Sequence, residues 1–108
     1  MTVNELCAKC GFTAVVISDG DREVTGCYMG DLLSWVMGRA KGDDAWITIM
    51  SNINIIAVAS LADVSCIILS EGVTVDDDII ATAEQKEINV LSSALPSYET
   101  AVKVSEQI

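Results

Sequence analysis

Four cysteines and no histidine set the limits on the chemistry open to this chain. Cys7 and Cys10 form a C-x-x-C pair, the spacing of dithiol redox sites and of half a structural zinc site. A redox pair of this kind sits at a helix N-terminus, where the dipole lowers the thiol pKa. Here the pair ends the first helix that the sequence predicts, where the dipole opposes a thiolate. A metal site would also need Cys27 and Cys66, and Cys66 falls in an apolar strand that reads as core. A redox or metal adaptor built on Cys7 and Cys10 is therefore one of the minor readings. Without histidine there is no Ser-His-Asp triad, no imidazole base and no histidine-ligated metal.

Phosphate chemistry leaves equally little. There is no G-x-x-x-x-G-K-[ST] loop and no G-x-G-x-x-G turn. Asp76, Asp77 and Asp78 lack the spacing of a calcium loop and read as a helix start. No cofactor and no metal is expected. A further minor reading is a small-molecule enzyme that uses Asp19, Asp21 or Glu71 as acid or base.

The segment Gly20 to Gly38 is richer, because four of its glycines frame a turn, an extended piece and a helix start around Asp21, Arg22 and Asp31. Two readings of Arg22 stand open. Its fork can hold a phosphate or carboxylate through two hydrogen bonds, or it can pair with Asp21 or Asp31 and pin the turn. Gly26 and Gly30 serve backbone geometry, through positive φ or close approach.

The elements that position these groups follow from capping and periodicity. Thr2 and Glu5 have capping-box spacing, so a helix is predicted over Val3–Cys10 with Gly11 as its stop. Strands are predicted at Thr13–Ile17, Ala45–Ile49, Ser65–Leu69 and Asn89–Leu91, with an extended stretch at Glu23–Met29. Helices are predicted from Gly30-Asp31 to Met37, from an Asn54 cap to Ala62, from Asp76 to Glu87 and from Pro96 to Gln107. Alternating strands and helices with doubly apolar strands indicate one compact three-layer α/β/α domain over residues 1–108. Its sheet is small and mainly parallel, with four to five strands. Ligands in such sheets bind outside the carboxyl ends of the strands. Ser51, Asn52, Asn54 and Ser92 are placed there, and Ser18 and Asp19 are grouped with them. With Asp21, Arg22 and Gly26, the first four of these form the candidate ligand-binding set.

Composition narrows the partners. The chain has 108 residues, 51% of them hydrophobic, and a formal net charge of −10 with only six basic residues. Nucleic acid and anionic membrane surfaces are thereby disfavoured, although a small anion could still find Arg22, Arg39 or Lys41. No apolar run reaches the roughly 20 residues of a membrane span, and no secretory signal is evident, so a cytoplasmic protein is expected. Ile53–Leu61 is apolar almost all round, which requires cover on both sides. A second copy of the chain, with Trp35, Val36 and Met37 joining the patch, is the favoured cover; another helix of the same chain is the alternative.

The run Asp21-Arg22-Glu23-Val24-Thr25-Gly26 within Gly20–Gly38, together with Ala45-Trp-Ile-Thr-Ile, the apolar helix after Asn52 and Leu91-Ser-Ser, resembles the DRTGG domain. That module is related to the N-terminal domain of HPr kinase/phosphorylase, whose phosphate loop lies in a separate catalytic domain that this chain lacks. The eponymous five letters do not occur literally. The resemblance implies a bacterial or archaeal regulatory domain of the stand-alone kind, not an enzyme. Such a domain would dimerise, sense an adenine nucleotide or phosphorylated metabolite, and act on a partner enzyme. Relatives are appended to pyrophosphatases and phosphotransacetylases, and some stand-alone members lie near redox or hydrogenase genes.

Overall fold

In the computed structural model, which describes all of residues 1–108, helix α1 (Val3–Cys10) is closed at both ends by the groups that its sequence supplies. The Thr2 hydroxyl accepts the Glu5 N–H at 3.2 Å and the Glu5 carboxylate accepts the Thr2 N–H at 2.9 Å. Gly11 takes a left-handed conformation with φ of 70° and returns its N–H to the last turn. The elements that follow are β1 (Thr13–Val16), β2 (Gly26–Met29), α2 (Leu33–Arg39), β3 (Asp44–Thr48) and α3 (Asn54–Ala62). They continue with β4 (Cys66–Leu69), α4 (Asp77–Lys86), β5 (Val90–Ser92) and α5 (Ser97–Ser105).

The five strands form one sheet in the order β1-β5-β4-β3-β2. β2, β3, β4 and β5 run parallel, and β1 lies antiparallel on β5, with Thr13 opposite Ser92 and Val16 opposite Val90. Alternate residues of the strands feed two cores. Trp46, Ile67, Leu69 and Val90 pack under α2, α3 and α4 with Val36, Ile55, Ile56 and Ile79. Ala45, Ile47, Cys66, Ile68 and Leu91 pack under α1 and α5 with Leu6, Cys7, Cys10 and Val104. β3 and β4 are buried along their whole length, as parallel strands covered on both faces must be. The result is the expected α/β/α sandwich.

Two helix starts differ from expectation. Asn54 does not cap α3 but is its first residue; the Asn52 carboxamide oxygen instead accepts the Asn54 N–H at 2.9 Å. α2 opens at Leu33 rather than at Gly30-Asp31. Asp31 is held back because its carboxylate accepts the Thr48 hydroxyl at 2.8 Å and the Ile49 N–H at 3.0 Å. α3 lies between α2 and α4 in its layer, and its Ile55, Ile56, Val58 and Ala59 are covered within the single chain, while Ile53 and Leu61 at its two ends stay exposed. Val36, expected on the association patch, is instead fully buried.

Candidate functional site

The antiparallel course of β1 divides the expected ligand-binding set between the two ends of the sheet. Ser18, Asp19, Asp21 and Arg22 follow β1, and therefore lie at the amino ends of the parallel strands rather than at their carboxyl ends. Gly26 opens β2 opposite Asp44 and belongs to the same end. Ser51, Asn52, Asn54 and Ser92 lie beyond the carboxyl ends of β3 and β5, as expected. Arg22 and the strand-end hydroxyls therefore do not converge on one ligand.

At the carboxyl end, polar groups are occupied in shaping loops. Ser51 donates to the Thr74 carbonyl, and Asn52 turns the chain into α3. Ser70 pairs with Ser97, Ser93 with Thr100, and the Glu71 carboxylate accepts the Ser97 N–H at 2.6 Å, which docks the start of α5. None of the surface cavities is lined by Ser51, Asn52 or Ser92. Asn54 borders a groove of about 470 Å³ between α3 and α4, where Ile53, Ile56, Ala57 and Leu61 are the apolar walls.

At the amino end, Arg22 is a cross-brace. Its Nε and Nη2 donate to Asp43 Oδ1 at 3.3 and 3.0 Å. Nη2 also reaches the Asp63 carbonyl at 2.6 Å and Asp63 Oδ1 at 3.0 Å. Burial works against the guanidinium charge, but the bonds to Asp43 and Asp63 outweigh it and hold Arg22 protonated above its ordinary pKa. Both aspartates sit in the left-handed region, with φ of 67° and 57°. Aspartate tolerates that conformation better than most side chains. Arg22 thus pairs inside the chain, though with neither of the neighbours expected from local sequence. Asp21 is exposed beside it.

Asn89 is the residue that sequence reasoning missed at this end. Fully within the fold, its Oδ1 accepts the N–H groups of Ser18 and Asp19, both at 2.9 Å, and its Nδ2 donates to the carbonyls of Asp19 and Ser65. It fastens the turn after β1 to the starts of β4 and β5. The one available signal was a lone carboxamide beginning an apolar strand, where an unpartnered amide would be costly. Arg22, Asn89, Ser18, Ser65, Asp19 and Glu87 border a polar cavity of about 360 Å³. Gly26 is required by close approach rather than by positive φ, since a Cβ there would stand 2.5 Å from Asp44 Oδ1.

The four cysteines form no disulfide and lie toward one side of the sheet. Cys7, Cys10 and Cys66 share the core beneath α1 and α5, and Cys27 is in register with Ala45 and hence with Cys66. No three groups among His, Cys, Asp and Glu are arranged to hold a metal ion. Burial raises the Cys7, Cys10 and Cys66 thiols, which disfavours the nucleophilic thiolate. Cys27 is accessible on the edge strand, yet the protein around its sulfur, and secondarily the Asp44 carboxylate, push it up to about 11.

This architecture can be set beside known proteins. Among solved structures, the CBS and DRTGG domains of the regulatory region of Clostridium perfringens pyrophosphatase, complexed with the activator diadenosine tetraphosphate, match with a TM-score of 0.74 at 16% identity. The match covers 95% of this chain and 45% of that chain, and at this identity it is a likeness of fold. No curated protein matches. No helix is long and apolar enough to cross a membrane. The DRTGG domain matches residues 30–107, which include β3 to α5, while the Asp21–Gly26 run lies before the matched stretch. With some seven-tenths of its length matched and its sheet shared with a solved example, the chain belongs to the DRTGG domain family.

Proposed function

We propose that this chain is a non-catalytic regulatory module that pairs with a second copy of itself, responds to an adenine nucleotide or another phosphorylated small molecule, and passes that state to a partner enzyme. The observation that carries the reading is the apolar surface left on α2 and α3. Leu61 on α3 is 75% exposed and Trp35 on α2 52%, and Leu32, Met37 and Ile53 on or at the starts of the same two helices are exposed as well. Scattered single residues of this kind are ordinary, but large apolar side chains gathered on two adjoining helices mark an association face. The groove between α3 and α4 extends it.

The regulatory role draws support from the family and from the pyrophosphatase regulatory region that shares the fold. That region carries CBS domains as well, so its activator supports the proposed class of ligand but bears on no place for it on this chain. The polar groups at both ends of the sheet hold loops and turns together, in keeping with a module that associates.

Sedimentation analysis of the full chain between about 1 and 100 µM tests the reading. A dimer across that range, converted to a folded monomer by Leu61→Glu together with Trp35→Glu, is the expected result. Both residues are largely solvated, so the substitutions should spare the fold. A parent protein that is monomeric throughout would remove the physical support for the proposal.

A further inference from the structure

In a chain with sixteen acidic and six basic residues, an anion can settle only where cations are not cancelled by neighbouring carboxylates. Arg22 is committed to Asp43 and Asp63, and its cavity also carries Asp19 and Glu87. Lys103 shares its hollow on α5 with Glu99 and Glu106, and Lys86 stands alone at the edge of the apolar groove. One cavity differs. It measures about 420 Å³ and lies between β2 and the loop after α2, bordered by Thr25, Gly26, Tyr28, Arg39, Lys41 and Asp44 among others.

Several independent features meet there. β2 is an outer strand of the sheet, so one side of its backbone has no strand partner. Arg39 and Lys41, two residues apart, both border the cavity and neither forms an ion pair. The Arg39 guanidinium carbon lies 3.7 Å from the Trp35 ring centroid, a stack that limits its freedom while its in-plane N–H donors stay available. Asp44 is the one carboxylate in the lining. It is buried, and its Oδ2 is engaged by the Lys41 main-chain N–H at 2.8 Å.

We propose that this cavity is the ligand site, and that it takes a phosphorylated small molecule of mononucleotide size with its phosphate between Arg39 and Lys41. The cavity falls within the roughly 300–1,000 Å³ typical of small-molecule sites. Tyr28 and Thr25 supply an aromatic ring and hydroxyls for the remainder of the ligand. The inference rests on the reading of the chain as a ligand-responsive module and gives that response an address.

Calorimetric titration of AMP, inorganic phosphate and adenosine into the full chain at low salt tests it, with amide resonances of Gly26 and Gly42 as a local readout. AMP should bind and shift both amides, phosphate should do so more weakly, and adenosine should not bind measurably. The Arg39→Gln, Lys41→Gln double variant should weaken AMP by at least about tenfold, while Asp19→Asn with Glu87→Gln at the other cavity should leave it within about twofold. Both Arg39 and Lys41 are exposed, and the main-chain bond to Asp44 survives, so the first pair should fold. AMP binding that ignores Arg39 and Lys41 but responds to Asp19 and Glu87 overturns the site and leaves the ligand-responsive reading standing. Adenosine binding as tightly as AMP overturns the phosphate assignment. Silence from both AMP and phosphate in a chain that still dimerises overturns the site and the ligand half of the functional reading, sparing the association half.

Discussion

Replacing Arg22 by alanine should cost stability rather than ligand affinity, and the size of the loss can be worked from its contacts. The side chain is 27% exposed and holds Asp43, 51% exposed, and Asp63, 76% exposed. The ion pair to so open a group as Asp63 is worth about 0–1 kcal/mol, because water screens it. The more sheltered two-point contact with Asp43 adds about 1 kcal/mol, and the bond to the Asp63 carbonyl about 1 kcal/mol more. A total near 2–3 kcal/mol follows, and at roughly 4 °C per kcal/mol for a domain of this size the midpoint should fall by about 8–12 °C. Thermal unfolding followed by circular dichroism measures it. Asn replacements at 43 and 63 keep the left-handed backbone acceptable while removing charge, so Arg22→Gln with Asp43→Asn should show coupling of about 1 kcal/mol in a double-mutant cycle. An Arg22→Ala protein that melts within about 2 °C of the parent would refute the brace and return Arg22 to the list of free ligand groups.

Gly26→Ala should destabilise by about 1–3 kcal/mol, since the new methyl meets the buried Asp44 carboxylate at 2.5 Å and the Lys41 N–H holds that carboxylate in place. Gly20→Ala should cost less, although its Cβ would approach Asn4 to 2.2 Å, because the exposed Asn4 side chain can swing away. Urea denaturation of both variants decides the order, and equal losses would contradict it. Alkali should also weaken the fold. Buried thiols have raised pKa values, so the unfolded chain ionises first, near pH 8.5, and the folded chain binds more protons above that point. Stability should be complete below about pH 8.5 and decline as pH rises toward the folded values. Cys66, fully enclosed, should dominate, so Cys66→Ala should decline less steeply; parallel pH profiles would show that burial of this thiol is not the cause.

Groups a few residues apart were legible in the sequence, and groups joined only by the fold were not. The ends of α1 could be read because Thr2, Glu5 and Gly11 act on backbone groups within the same turn. The parallel block could be read because β3 and β4 are apolar on both faces. The direction of β1 could not, since four residues of strand look alike paired either way, and with it went the placement of Ser18, Asp19 and Arg22. The partners of Arg22 stand 21 and 41 residues away, beyond any local pattern. Asn54 reads as a cap by composition, and only the course of the chain after β3 makes it the first helical residue, with Ile53 at the cap position and the Asn52 side chain accepting the Asn54 N–H. Arg39 and Lys41 were visible as cations in an acidic chain, but their shared cavity depends on β2 passing beside the loop that carries them.

The same reversed strand has a consequence for how the molecule comes into being. β3, β4 and β5 are laid down in sequence, each beside the one before, through helices that cross over locally. β1 pairs only with β5, whose residues emerge more than seventy positions later. During synthesis the first strand therefore waits without a partner until the fifth exists, and closing so long a loop is a slow step. Its brevity, four residues with an irregular register between Ala14 and Val16, leaves it few aligned backbone groups with which to template another chain. The capped α1 and the Asn89 and Arg22 fastenings then lock the opening segment onto a block that is already assembled, so the amino-terminal part of this domain should be the last to order and the first to let go.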